Sequence, residues 1–407
     1  MPGCVTYYTS LLPGSFKQYS TPFDSFWCCV GTGMENHSKY AESIYFKDNQ
    51  ELLVNLYIPS RLHWKEKGLK LTLDTYFPES DTVTVRMDEI GSYTGMLLFR
   101  YPDWVSGDAV VRINGKPAQT EAHKGSYIRL LDSVKSGDVI TLVFTRNLYI
   151  DYAKDEPHFG SVMYGPILLA GGLGTDDMPE DRVIDNRACR ESLPAKNIPM
   201  LVGPLADLDS WIQCSSQHPL RFTVKNGGGQ QGVGLIPYFQ MHHQRHTVYW
   251  KLYSPDEFVY RTRSLTDEVK IGDEKDEGKH ALQGENDSIY WHDYFWAKNT
   301  RFRMAKDGWF SYTLHINKTE QKPYHLICRF WGDEPDTCQF DILIDGNYLR
   351  TVSLNRKLYL TYVDDVYSIP ADWTRGKDKV NVTFRAAQGK NAGGLYELKI
   401  TSDTNYR

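Results

Sequence analysis

The stretch Leu69-Lys70-Leu71-Thr72-Leu73-Asp74-Thr75-Tyr76 alternates apolar and polar residues from Leu69 to Asp74, and its reading decides the fold. A period of two puts the three leucines on one face and the lysine, threonine and aspartate on the other, as in a strand with one buried side. The same alternation returns in Thr82-Val83-Thr84-Val85-Arg86-Met87, and again over 51–58, 95–100, 109–113, 127–130 and 139–144. Asn114-Gly115 and Ser136-Gly137-Asp138 supply turns between these runs. Seven short strands with frequent turns predict a β-sandwich over residues 46–150.

Working outward towards the C-terminus, strand-like runs at 160–170, 235–239 and 247–252 predict a second β-sandwich unit over 151–256. His242, His243 and His246 cluster there, but neighbouring strand residues point to opposite faces and no cysteine or carboxylate completes a metal set, which favours a solvated loop. Residues 257–279 mix both charge signs and read as a charged linker. Strands then recur at 324–330, 339–344, 349–354, 366–370, 379–386 and 394–400, with Asp345-Gly346-Asn347 as a hairpin turn. They predict a jelly-roll-like sandwich over 280–407. Tyr290, Trp291, His292, Tyr294 and Trp296 are candidates for a sugar platform on its loops, since an aromatic face can stack on the C–H surface of a sugar. Half-exposed core rings are the other reading. Trp309 and Trp331, set in alternating runs, are assigned to the core.

Bulk properties exclude several functions. Lys plus Arg number 46 against 51 Asp plus Glu, a net charge of −5 that argues against a nucleic-acid partner. No apolar run reaches the roughly 18 residues of a membrane span, so no membrane partner is expected. Seven cysteines in 407 residues make no disulfide framework, and Cys328 and Cys338 read as buried free thiols. Met1-Pro2-Gly3-Cys4 does not open a secretory signal; the parent protein is expected in the periplasm of a bacterium or outside it.

Towards the N-terminus stands Phe23-Asp24-Ser25-Phe26-Trp27-Cys28-Cys29-Val30-Gly31-Thr32-Gly33-Met34-Glu35-Asn36-His37. Thr32 and Glu35 have the form of a capping box, and Met34, His37, Ala41 and Ile44 recur at helical spacing, which predicts a helix over 33–43. Two adjacent thiols just ahead of a helix N-terminus have the address of a nucleophile or metal ligand, because the positive end of the macrodipole favours thiolate. Two small buried apolar residues beside Phe26 and Trp27 are the alternative.

The run from Leu11-Leu12-Pro13-Gly14-Ser15-Phe16-Lys17 through Ser20-Thr21-Pro22-Phe23 to Ser38-Lys39-Tyr40 resembles the end of the catalytic domain of the β-L-arabinofuranosidases, glycoside hydrolase family 127 and its sister family 146. The resemblance implies an (α/α)6 barrel whose zinc ion is held by a glutamate and three cysteines, two of them adjacent. It makes Cys28 the nucleophile and a zinc ligand, and Cys29 a zinc ligand. The remaining ligands and the acid/base glutamate lie upstream of the pair in that family, so residues 1–45 are expected to be the remnant of the barrel. Segments 160–170 and 235–252 resemble the opening and closing strands of the family's second sandwich, and 280–286 with 307–314 resemble its appended carbohydrate-binding-type module.

The expected fold class is therefore mainly β: tandem β-sandwich domains with a short N-terminal helical remnant. The expected function is the non-catalytic C-terminal part of a zinc-thiolate retaining glycosidase acting on arabinose-containing plant glycans. A stand-alone sugar-binding or scaffolding protein is the alternative. Carbohydrate is the expected partner, zinc the expected cofactor, and a homodimer is left open.

Overall fold

Strands form where apolar and polar residues alternate, because only that register hides one face without stranding polar groups on it. The computed structural model describes residues 4–6, 11, 13–25, 28–48, 50–154, 156–176, 178, 183–184, 198–225, 227, 232–291, 300–333, 337–358 and 362–403. Its architecture is mainly β, with short helices, in two compact units, 1–189 with 195–254 and 190–194 with 255–407.

In the first unit, Leu69–Thr75 pairs antiparallel with Ser60–Trp64 and Thr82–Glu89, and the sheet continues through Val139–Val143, Val110–Ile113 and Lys116–Pro117. Leu69, Leu71 and Leu73 are buried, as are Val83, Val85 and Met87 opposite them. A five-stranded sheet runs Thr120–Ala122, Tyr127–Leu130, Leu97–Arg100, Glu51–Val54, Tyr45–Asp48, with Glu51–Val54 parallel to Leu97–Arg100. Its Leu52, Val54, Leu97, Phe99, Ile128 and Leu130 join the same core. Each fully buried side chain of this size contributes about 1.5–3 kcal/mol. Asn114 and Gly115 both have positive φ, 50° and 79°, as a tight two-residue hairpin turn requires.

A ten-stranded sheet follows, whose path runs Leu201–Val202, Trp250–Tyr253, Phe159–Tyr164, Ile167–Gly172, Val233–Pro237, Phe222–Val224, Ile212–Cys214. Trp250 is fully buried among Val162, Leu169, Leu235 and Leu252. Gly171 is required there, since a methyl group at that position would run into the Trp250 indole.

The second unit is a nine-stranded set ordered Asn347–Ser353, Gln339–Ile344, Lys379–Ala386, Arg301–His315, Asn391–Thr401, Tyr324–Trp331, Tyr362–Ile369. It encloses one core rich in Phe310, Tyr312, Phe330, Phe340 and Phe384. Cys328 and Cys338 are buried free thiols.

Three expectations are corrected. The 257–279 stretch is no linker: Pro255–Ser264 and Glu274–Lys279 are helices, and Leu265–Val269 pairs with Asn391–Thr401. Asp273 caps the second helix by accepting from the backbone N–H groups of Lys275 and Asp276. Glu277 on that helix is buried against Arg303, so charges that looked solvated are partly paired inside the unit. The N-terminal helix begins at Cys28 and ends at Lys39, so Thr32 lies inside it rather than ahead of it. Gly31 and Gly33 weaken a helix by about 1 kcal/mol each without forbidding it. Trp331 is buried against Tyr396 and Tyr362, whereas Trp309 is only half-buried.

Candidate functional site

The cysteine motif begins in a hydrogen-bonded turn. The Thr21 backbone N–H and the Ser25 Oγ are 2.9 Å apart, and the Asp24 N–H donates to Thr21 Oγ1 at 3.2 Å. The helix Cys28–Lys39 follows, so Cys28 and Cys29 occupy its first turn, where the backbone N–H groups lack intrahelical partners. The side chains of Cys28 and Cys29 lie outside what the structure describes. Further along, His37 Nδ1 meets the Gly33 carbonyl at 2.8 Å, and residues 35–42 are exposed to solvent. Phe23, just ahead, is 86% exposed.

Residues preceding this helix are built into the ten-stranded sheet. Ser15–Phe16 pairs antiparallel with Arg245–Thr247. Arg245, 2% exposed, donates from Nη1 to the Gly14 carbonyl at 2.9 Å and from Nε to the Asp176 carbonyl at 3.1 Å, and its guanidinium lies over the Phe16 ring. The Lys17 ammonium donates to the Tyr238 carbonyl at 2.6 Å and sits 4.2 Å from that ring; burial lowers its pKa.

The three histidines divide. His242 and His243 are exposed, His242 Nδ1 lying 2.5 Å from the Tyr19 hydroxyl and His243 stacking on the Tyr19 ring. His246 is buried in its strand beside Tyr238, and burial pushes its pKa down to about 4. This polar seam holds the N-terminal segment in place.

Two residues of the candidate sugar platform, Tyr290 and Trp291, are among the described residues. Tyr290 and Trp291 are consecutive residues of the strand Gln283–Trp291, not loop residues, and so point to opposite faces. Tyr290 stacks on Phe302 with the Lys306 ammonium 5.3 Å from its ring; Trp291, 47% exposed, has the Arg301 guanidinium 4.6 Å from its centroid. His292 and Trp296 lie outside the described residues. The sequence reading also missed Asp267, His280 and His315, 13 and 48 residues apart, which the fold gathers; no short spacing announces them.

Residues 2–42 match the family model described as the β-L-arabinofuranosidase GH127 catalytic domain, and residues 51–146 match the GH127 middle domain. The chain is a GH127-like protein. Its residues 149–252 match a domain of unknown function and 262–401 a family of unknown function. No curated protein matches it. Among solved structures, it is 19% identical to one titled a glycoside hydrolase, covering 62% of this chain and 45% of that one at a TM-score of 0.46. A GH127 β-L-arabinofuranosidase from Geobacillus stearothermophilus T6 is 17% identical, with 55% and 37% covered and a TM-score of 0.37. A family 35 carbohydrate-binding module from Clostridium thermocellum is 13% identical, with 30% and 92% covered and a TM-score of 0.23. The GH127-like chain thus spans less than half the length of the first two.

In the GH127-like chain the vicinal cysteines belong to the stretch matched by the catalytic-domain model. A tetrahedral zinc site takes four ligands. Cys28 and Cys29 are donors of the right kind and half the number, so no reaction step is derived through zinc.

Proposed function

We propose that this chain is the supporting and sugar-contacting part of a glycosidase-related protein that acts on arabinose-containing glycans, and that the chain alone does not turn over substrate. The observation that carries the reading is the fastening of residues 13–20, within the catalytic-domain match, into the sheet of the following domain. A barrel-derived segment fixed in this way sets the position of Cys28 relative to the sandwiches. In this reading Cys28 is the nucleophile: retaining hydrolysis needs one group to attack the anomeric carbon and an acid to protonate the leaving oxygen. A thiolate in the first helical turn, stabilised by unpaired backbone N–H groups, suits the first task. Zinc shared by Cys28 and Cys29 with further ligands would lower the thiol pKa and limit its basicity. The exposed helix and Phe23 support a surface made to be covered by more of the catalytic domain.

The test is to incubate the purified chain with an aryl β-L-arabinofuranoside and, separately, to run it through a native gel containing arabinan. The expected result is no release of the aryl group, together with retardation by arabinan. Turnover would overturn the supporting role, and unretarded migration would overturn the sugar contact.

A further inference from the structure

We infer that Asp267, His280 and His315 form a binding site for a divalent transition-metal ion of the zinc class within the second unit. Asp267 lies on Leu265–Val269, His280 closes the helix Glu274–Lys279, and His315 ends the strand Arg301–His315. Their ligand atoms all fall within 4.8 Å of one another. His280 Nε2 stands 3.3 Å from Asp267 Oδ1, and His315 Nδ1 stands 3.2 Å from Asp267 Oδ2. In a tetrahedral zinc site with bonds of about 2.0–2.1 Å, neighbouring ligand atoms are about 3.3 Å apart.

The hydrogen bonding of His280 strengthens this reading. Its Nδ1 lies 2.7 Å from the Asp276 carbonyl oxygen, which can only accept, so Nδ1 carries a proton. Its Nε2 faces a carboxylate oxygen, Asp267 Oδ1, across 3.3 Å. A proton or a metal ion can join the two, and a metal ion there would also be within reach of the second imidazole, whose Nδ1 stands 3.2 Å from Oδ2. An imidazole whose other nitrogen donates to a carbonyl is the usual arrangement for a metal-bound histidine. The carboxylate is fixed as well: Oδ1 accepts from the Glu268 N–H at 3.0 Å and Oδ2 from the His315 N–H at 2.6 Å. His280 and Asp267 are largely shielded, while His315 is exposed and leaves a side open for water as a further ligand. Two imidazoles and a carboxylate, without thiolate, suit zinc and its neighbours rather than calcium or copper(I). Bound there, an ion would clip helix, lead-in strand and core strand together.

The inference is independent of the proposed glycosidase role and of the cysteines. Its test uses the full chain with Cys28→Ser and Cys29→Ser, which removes the vicinal thiols, and with Cys4→Ser and Cys214→Ser, which removes two further accessible ones, titrated with Zn²⁺ alone by calorimetry and with Co²⁺ by absorption. One ion per chain is expected, with a cobalt spectrum free of thiolate charge transfer and a rise in melting temperature. Adding His315→Ala, an exposed change that leaves the fold intact, is expected to weaken binding at least tenfold and abolish the thermal shift. No binding at 0.1 mM Zn²⁺ and pH 7.5, on the order of weak extracellular cation sites, or equal affinity with and without His315, would overturn the assignment.

Discussion

His246 shows how a single buried ring makes the first unit sensitive to acid. Its pKa is pushed down to about 4 by burial, with a lesser contribution from the nearby Lys17 ammonium, against an ordinary value near 6.5. The unfolded chain therefore binds the proton more readily than the folded one. Stability from this group is whole above about pH 6.5 and is lost as the pH falls towards 4, a difference of about 3 kcal/mol. Replacing it with a ring that does not titrate, His246→Phe, is expected to flatten the dependence of urea midpoint on pH between 6.5 and 4; an unchanged slope would place the acid sensitivity elsewhere. None of this was legible in the sequence. The three histidines look alike there, and only the register of Arg245–Thr247 against Ser15–Phe16 and Ile167–Gly172 sends His246 inward while His242 and His243 face solvent.

At the scale of elements, the same strand fastens the N-terminal segment. Arg245 binds two backbone carbonyls with a guanidinium removed from water, and hydrogen bonds from charged donors of this kind contribute about 1.5–3 kcal/mol. Arg245→Met keeps the apolar stem and loses the donors. Faster amide exchange is expected at residues 13–20, with the strands between 51 and 143 unaffected; equal protection in the variant would assign the docking to the strand pair alone. The strands themselves were legible wherever alternation was strict, as in Leu69–Thr75, because a one-residue slip would expose every leucine. The helix Glu274–Lys279 was not. Its charges read as solvated because the partner of Glu277, Arg303, comes from a strand that sequence spacing does not bring near. Tyr290 and Trp291 were expected on loops and stand on the strand Gln283–Trp291, whose geometry parts neighbours.

At the scale of the molecule, each unit has its own buried determinants. In the second, Glu277 accepts from Arg303 Nε at 3.0 Å and Nη2 at 2.8 Å and from the Tyr312 hydroxyl at 2.6 Å, while Asp287 takes a third guanidinium nitrogen. Burial raises the pKa of Tyr312, and Glu277 beside it adds to that, which keeps the phenol a donor. Glu277→Gln leaves Asp287 as the one carboxylate on Arg303 and weakens the charged hydrogen bonds that Glu277 accepts, at an expected cost of about 1.5–3 kcal/mol. Scanning calorimetry should show two transitions, of which only the one belonging to residues 255–403 moves; a single transition shifting as a whole would mean that the two units unfold together. The order of sandwiches could be read from turns and alternation, and the family from the run around the cysteines. How the N-terminal segment is held could not, since its partners stand near the other end of the first unit. Gly14 and Arg245 are 231 residues apart. A ribosome adding about 5–20 residues per second needs about 10–50 s to cover that distance. For that interval the nascent chain carries its two adjacent thiols without the strand that anchors the segment leading to them, so the cysteine-bearing stretch is made well before it is secured.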